Sequence, residues 1–130
     1  LLYVLAVFRL MKGRTMSKFN FVEDTMKKFN TGQPIDFTTI LHDDFMLIRE
    51  EALVSKEDFL VYIEANRKDI LKVLDVKCLY EDEISLVWRD LFDADGVRYR
   101  TTTYETFKDG KLWRSMMNKE IVGNDVLTLD

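Results

Sequence analysis

The chain has 130 residues, of which 47% are hydrophobic and 32% are charged, a composition typical of one globular domain. Its 19 basic and 23 acidic residues give a net charge of −4, so no basic surface indicates a nucleic-acid partner. A single cysteine, Cys78, and a single histidine, His42, are too few for an internal disulfide or a usual zinc site. We therefore expect a cytoplasmic protein without metal or cofactor.

The first residues, 1–8, form an apolar run that is followed by basic residues. Eight residues are too few to cross a bilayer, which requires about 20. In a secretory signal peptide the basic residues precede the apolar run, so this segment also fits that class poorly. We expect no membrane association, and we treat residues 1–15 as a leader whose origin the sequence leaves open. A single domain is expected at residues 16–130.

Three segments have helical patterns. After Ser17, a candidate N-cap, apolar residues recur at three- and four-residue spacing until Gly32. A short second helix is predicted after Asp36. A third helix is predicted to begin at Ser55, because Ser55 and Asp58 have the spacing of a capping box.

Strand patterns occupy most of the remaining chain. A β-rich segment, 44–50, lies between the second and third helices, and residues 74–80 alternate with period two. Three more strands follow to Val122, separated by Asp-Gly turns at 95–96 and 109–110. Helices followed by a run of antiparallel strands predict an α+β fold with the helices on one face of a curved sheet.

The Asp-Gly turn at 109–110 predicts a two-residue hairpin and therefore a register. Phe107 then faces Leu112, and Glu105 faces Arg114. Alternation of side chains along both strands places four further residues on the face of Glu105: Thr101, Thr103, Met116 and Asn118.

The preceding strand adds a mainly apolar set to this face: Ile84, Leu86, Trp88, Asp90 and Phe92. Buried charges need partners, so a face with Asp90, Glu105 and Arg114 is expected to surround water or a ligand. Two interpretations of the last two residues remain open. They form a structural ion pair, or Arg114 binds a carboxylate or carbonyl while Glu105 orients it.

The opposite face carries Tyr104, Trp113 and Met117, which are too apolar for free solvent. Exposed patches of this kind often mark interfaces. We therefore predict a homodimer that forms across the sheet.

Three segments within residues 17–122 have a distinctive order and spacing: 31–37 (TGQPIDF), 41–47 (LHDDFML) and 103–114 (TYETFKDGKLWR). Together with the order helix, helix, strand, helix and antiparallel strands, they resemble the nuclear-transport-factor-2-like fold, including its SnoaL-like branch. The resemblance implies a cone-shaped curved antiparallel sheet packed on three N-terminal helices, a cystatin-like α+β roll. Its members include isomerases, dehydratases, polyketide cyclases and binding domains, so the fold alone does not define a function.

In the steroid-isomerase-like members an Asp base lies near the end of the first strand. Aligning the acidic pair at 43–44 puts Arg49 at that place, and the second acid of those members aligns with Thr103. The resemblance therefore does not carry over proton transfer by these two acids.

We expect the cone to bind a small, partly apolar molecule with an anionic or carbonyl group. The residues predicted to bind it are Arg114, Trp88, Thr103, Met116, Asn118 and Arg49. The alternative is an isomerase, dehydratase or polyketide-cyclase-type enzyme, in which Glu105 or Asp90 is the base and Tyr99 stabilises an enolate. A third possibility is a protein-interaction module that acts through the outer sheet face.

Overall fold

The structure is a computed structural model that describes residues 17–50, 52–66 and 72–130. The helices among these residues are α1 (Lys18–Asn30), α2 (Phe37–Ile40) and α3 (Lys56–Asn66). The strands are β1 (Leu41–Arg49), β2 (Ala52–Ser55), β3 (Lys72–Glu81), β4 (Ser85–Ala94), β5 (Val97–Lys108) and β6 (Lys111–Val122). The α+β prediction is confirmed, with the short strand β2 as an addition. The predicted leader, 1–15, lies outside the described residues.

The six strands form one curved sheet in the order β2-β1-β6-β5-β4-β3. Neighbouring strands are antiparallel except β1 and β6, which run parallel. Local patterns reveal hairpins between consecutive strands, but they carry no signal for a pairing between strands that are far apart in the chain. The prediction of a wholly antiparallel sheet is therefore corrected at this one pairing.

The two longer helices cover opposite ends of the same sheet face. Helix α1 begins at Ser17, whose Oγ accepts a hydrogen bond from a backbone N–H of the first turn at 3.0 Å. It lies along β3, because Lys18 N donates to Glu81 Oε1 at 2.9 Å and Asn30 exchanges two hydrogen bonds with the backbone of Val73. Helix α3 packs on β1 and β2. The middle strands, β5 and β6, therefore lie between the two helices.

The apolar core is divided into two clusters on this face. The cluster under α1 has three buried members, Val22, Leu86 and Trp88. The cluster under α3 also has three, Leu41, Phe45 and Leu47. Burying each side chain of this size contributes about 1.5–3 kcal/mol to the stability of the folded state. Each cluster therefore stabilises the packing of one helix on its end of the sheet.

Both predicted Asp-Gly turns are two-residue hairpin loops. Asp95 and Gly96 have φ values of 53° and 78°, and Asp109 and Gly110 have φ values of 55° and 73°. Positive φ at both central residues defines a type I′ turn, which Asp-Gly favours. The prediction of these two turns is confirmed.

Strand β6 contains a β-bulge that the sequence pattern does not show. Phe107 faces Leu112, as predicted, but the next pair joins Thr106 to Arg114. Trp113 is therefore an extra residue on β6 that has no cross-strand partner on β5. A bulge of this kind shifts every later residue of its strand to the other face of the sheet.

The predicted register beyond the bulge is wrong by one residue. The observed partners of Thr101, Thr103 and Glu105 are Lys119, Met117 and Ser115. The residues predicted to oppose them, Asn118, Met116 and Arg114, lie on the outer face. An Asp-Gly loop determines only the first pairs of a hairpin, and the pairs further out depend on how the sheet bends.

Candidate functional site

The sheet face that carries α1 and α3, called the inner face, has polar side chains in its middle. Three cross-strand rows run over β4, β5 and β6: Asp90–Thr101–Lys119, Trp88–Thr103–Met117 and Leu86–Glu105–Ser115. Arg49 on β1 extends the middle row, because it pairs with Met117. Six residues predicted to line the site therefore do share this face: Trp88, Asp90, Tyr99, Thr103, Glu105 and Arg49.

The polar groups of these rows are buried. Thr101 and Thr103 are each 2% exposed, Glu105 is 8% exposed and Asp90 is 9% exposed. A buried polar group costs free energy unless it has a hydrogen-bond partner. Whether each of these groups has a hydrogen-bond partner inside the protein therefore determines whether it is available to a ligand.

Glu105 has a partner inside the protein. Trp88 Nε1 donates a hydrogen bond to Glu105 Oε1. Burial raises the pKa of Glu105 to about 7, and the hydrogen bond from Trp88 opposes this shift. The Glu105 carboxyl is therefore restrained by its hydrogen bond to Trp88 and is less available to a ligand than an unbonded carboxyl would be.

Asp90 is in a different situation. Burial raises the pKa of this carboxyl to about 7, and the neighbouring Thr101 opposes this shift. Its Oδ1, together with Oγ1 of Thr101 and of Thr103, has no hydrogen-bond partner among the described residues. Each unpaired buried group costs about 1–3 kcal/mol, so three in two adjacent rows form an unusual concentration of such groups in the folded protein.

The two buried carboxyls are separate groups. Asp90 faces Thr101 and Glu105 faces Leu86, which is four residues from Asp90 along β4. At about 3.3 Å per residue, this offset is about 13 Å. Asp90 and Glu105 therefore do not share a proton as a carboxylate dyad would.

Two half-buried cations flank the polar rows. Lys119 Nζ lies 4.6 Å from the ring centroid of Tyr99, and Arg49 Cζ lies 4.7 Å from that of Tyr62. Within the described ranges, neither cation has a carboxylate oxygen within 4.0 Å. The ring of Tyr99 also stacks on Phe92 at 5.3 Å. This side of the site is aromatic and positively charged.

Because of the bulge, the sequence pattern does not predict that Lys119 lies on the inner face. A regular hairpin would place this residue on the outer face, where a lysine is unremarkable. Its position beside Thr101 depends on the extra residue Trp113. The sequence holds no separate signal that would have identified it.

The predicted pairing of Glu105 with Arg114 is wrong, because the two side chains lie on opposite faces of the sheet. Arg114 instead donates a hydrogen bond to the Asp44 carbonyl oxygen, and its Cζ lies 4.1 Å from the ring centroid of Trp113. Arg114 and Glu105 therefore do not form a structural ion pair, and Glu105 does not orient Arg114 toward a ligand. Met117, predicted for an outer dimer surface, packs against the inner cluster under α3.

The remaining features of the described chain add no further site. Residues 17–50, 52–66 and 72–130 contain no group of three or more His, Cys, Asp or Glu side chains that could hold a metal ion. Among the helices that the structure describes, none is long and apolar enough to cross a membrane.

No protein-family model matches this chain, and no curated protein matches it. Solved structures do match. An NTF2-like protein from Anabaena variabilis has a TM-score of 0.61 at 15% identity, covering 82% of this chain and 87% of that one. A proposed isomerase from Rhodopseudomonas palustris has a TM-score of 0.61 at 13% identity, covering 81% and 90%.

A third match is IdmH, a proposed polyketide cyclase from Streptomyces antibioticus, with a TM-score of 0.58 at 10% identity, covering 76% of this chain and 88% of that one. Likeness at such identities defines the fold and not the activity. The chain has the NTF2-like fold, as the order of its elements predicts.

Proposed function

We propose that the inner face binds a small, partly apolar molecule whose carbonyl or hydroxyl group hydrogen-bonds with Asp90, Thr101 and Thr103. The observation that carries the proposal is the set of three buried oxygens that have no hydrogen-bond partner within the described part of the chain. Threonine hydroxyls donate and accept, and a protonated Asp90 also donates. Together they match a carbonyl oxygen or a hydroxyl group better than they match an anion.

The neighbouring side chains suit the rest of such a molecule. Trp88 and Met117 lie in the next row and provide apolar surface, in keeping with ligand sites that are mostly apolar with a few polar groups. Lys119 and Arg49 favour a ligand with negative charge at its other end. An aromatic or polyketide-like ketone that carries a carboxylate combines these features. The proposed polyketide cyclase among the structural matches is in keeping with a polyketide-like ligand.

Replacing Thr103 with Val is expected to weaken ligand binding by roughly tenfold, because one hydrogen bond to the ligand is lost. The probes are 1-acetonaphthone, a ketone, and 1-naphthoate, a carboxylate, and the readout is the rise in melting temperature with ligand concentration. Thr106→Val is the matched control. Thr106 lies on the same strand, and its Oγ1 also lacks a hydrogen-bond partner in ranges 17–50, 52–66 and 72–130, but it is on the outer face.

Two results would contradict the proposal. Neither probe raises the melting temperature of the wild-type protein, or Thr106→Val weakens binding as much as Thr103→Val does. The second result would move the binding site to the outer face.

A second candidate function is proton transfer, which is favoured because Asp90 Oδ1 accepts no hydrogen bond from any residue that the structure describes. A carboxyl with a pKa of about 7 is partly ionised at neutral pH and is well suited to act as a general base. Asp90 would take a proton from the carbon next to the ligand carbonyl. The electron pair of that C–H bond would move to the carbonyl oxygen, where the hydroxyls of Thr101 and Thr103 stabilise the enolate.

Asp90→Asn is expected to abolish such catalysis, because an amide cannot accept the proton. The measurement is hydrogen–deuterium exchange at the methyl group of 1-acetonaphthone in D2O, followed by NMR. Glu105→Gln is the control and is expected to retain exchange, since Glu105 is engaged by Trp88. Binding without exchange in the wild-type protein would exclude this second function and leave the first intact.

A further inference from the structure

A groove on the outer face of the sheet, opposite α1 and α3, is lined by a row of large apolar side chains. The row, called here the outer row, takes one residue from each strand in direct cross-strand register: Leu53, Ile48, Met116, Tyr104, Val87 and Tyr80. All of its members except Val87 are 45–65% exposed. The groove has a volume of about 660 Å³, which is within the range of about 300–1,000 Å³ of small-molecule sites.

A polar row forms one side of this groove. It consists of Ser85, Thr106 and Arg114, which are also in cross-strand register. Thr106 Oγ1 is buried and has no hydrogen-bond partner among the described residues. Arg114 Nη1 donates to the carbonyl oxygens of Asp44 and Trp113, and none of the described residues places a carboxylate oxygen within 4.0 Å of this guanidinium. The polar side of the groove therefore has a cation and a hydroxyl group available to a ligand.

The charges beside the outer row are all positive. The row on its other side consists of Asn118, Thr102, Arg89 and Lys77. The two flanking rows thus hold three cations and no Asp or Glu, although the whole chain has a net charge of −4. Over ranges 17–50, 52–66 and 72–130, no carboxylate oxygen lies within 4.0 Å of these cations. Such a surface attracts a molecule that is apolar along its length and anionic at one end.

We propose that the groove binds a free fatty acid, with its carboxylate on Arg114 and Thr106 and its alkyl chain along the outer row. A guanidinium donates to a carboxylate through two parallel hydrogen bonds, and a threonine hydroxyl donates a further one. From Arg114 on β6 to Tyr80 on β3 there are three strand spacings, or about 14 Å. Three bonds of an extended chain span about 3.3–3.6 Å, so a chain of about 12 carbons follows the row to its end.

A fatty acid matches the charges of this face better than a second copy of the same face does. A two-fold contact brings the same patch of both partners together. Because both flanking rows hold cations, such a contact would place cations near cations, and like charges across an interface are unfavourable. Of the residues predicted for a homodimer surface, Tyr104 lies in the outer row and Trp113 is the bulge residue. The homodimer stays a prediction, and it is one outcome of the test.

The test is isothermal titration calorimetry of the full chain with dodecanoate below its micelle concentration. The wild-type protein is expected to bind one dodecanoate per chain. Dodecyltrimethylammonium has the same alkyl chain with the opposite charge and is expected to bind roughly tenfold more weakly or worse. Thr106→Val is expected to weaken dodecanoate binding by roughly three- to tenfold, and Arg114→Gln by roughly tenfold or more.

Two further variants test the outer row without changing Arg114, whose hydrogen bond to the Asp44 carbonyl oxygen also contributes to the fold. Tyr104→Glu and Met116→Glu each place a negative charge in the row at an exposed side chain. Both are expected to weaken dodecanoate binding by roughly tenfold or more. Val61→Glu is the matched control, because Val61 is exposed on α3, and its affinity for dodecanoate should stay unchanged. Circular dichroism establishes that each variant is folded.

The outer groove and the inner face can be tested independently. Thr103→Val lies on the inner face and is expected to leave dodecanoate binding unchanged, whereas it weakens binding of the naphthyl probes. Thr106→Val should have the converse effects, because a naphthyl group is too short to follow the outer row. Loss of dodecanoate binding in Thr103→Val but not in Thr106→Val would place the fatty acid on the inner face and overturn the outer site.

Three other results would overturn the proposal. The wild-type protein binds no dodecanoate, it binds the cationic amphiphile as tightly, or the folded Tyr104→Glu and Met116→Glu variants bind dodecanoate as tightly as the wild type. Sedimentation equilibrium identifies the alternative occupant. A wild-type dimer that binds no dodecanoate would assign the groove to a second copy of the chain.

Discussion

Replacing Asp90 with Asn is expected to raise the free energy of unfolding at pH 8 by about 2–4 kcal/mol. The folded-state pKa of Asp90 is about 7, against an ordinary value of 3.8. Between these values the unfolded carboxyl is ionised while the folded one is protonated, so unfolding releases a proton and stability falls as pH rises. Above pH 7 the cost of burying the ionised group is complete, and Asn removes it.

The measurement is urea denaturation at several values between about pH 5 and pH 8. Glu105 acts in the same direction, since burial raises its pKa to about 7 as well. Asp90→Asn should therefore reduce the slope without abolishing it. Carboxyls whose pKa is lowered, such as Asp93 beside Arg98, change stability only at more acidic pH and leave this range unaffected.

Asp95→Asn is the control for the loss of one negative charge. Asp95 is exposed in a type I′ turn that Asn-Gly also favours. A wild-type stability that is constant or rises between pH 5 and pH 8 would contradict the expected cost of the buried carboxyls. An unchanged slope in Asp90→Asn would contradict the assignment to this residue.

Replacing Trp88 with Phe is expected to destabilise the protein by about 3 kcal/mol. The substitution leaves space in the cluster with Val22 and Leu86, and it removes the hydrogen bond that Glu105 accepts inside the core. That bond lowers the pKa of Glu105, so its loss raises this pKa further. The destabilisation should therefore be larger at pH 8 than at pH 5.

The dependence on pH separates the lost hydrogen bond from lost packing, which costs the same at both values. Trp113→Phe makes the same change at the half-buried bulge residue and is expected to cost about 1 kcal/mol or less. In a Glu105→Leu background, Trp88→Phe should cost less than in the wild type, and its pH dependence should vanish. Equal losses at pH 5 and pH 8 would show that the bond to Glu105 contributes little.

Much of the fold is predictable because its signals are local. Ser17 caps α1, and the Asp-Gly pairs form the two type I′ turns that period-two strands flank. The apolar alternation of β4 places Leu86, Trp88 and Asp90 on the buried face, which the structure confirms. Each signal involves residues within a few positions of one another, so the sequence and local geometry are sufficient to predict these features.

The candidate site was predicted only in part, and the residue at which prediction failed is Trp113. Register counted from the turn at 109–110 is correct for Phe107 and wrong from Arg114 onward, because the bulge adds one residue to β6 that no local pattern indicates. Because of this extra residue, the cross-strand partner of Glu105 is Ser115 and not the predicted Arg114. It also brought Lys119, which no pattern indicated, beside Thr101.

Local patterns are sufficient to predict the helices, five of the strands, the two hairpin turns and the buried faces of β4 and β5, because caps, turns and alternation act over short distances. They do not predict the parallel pairing of β1 with β6, the bulge, or which polar groups find hydrogen-bond partners. These depend on contacts between distant segments. Glu105 accepts a hydrogen bond from Trp88, whereas Asp90 Oδ1 has no partner among the described residues, and the proposed function rests on that difference.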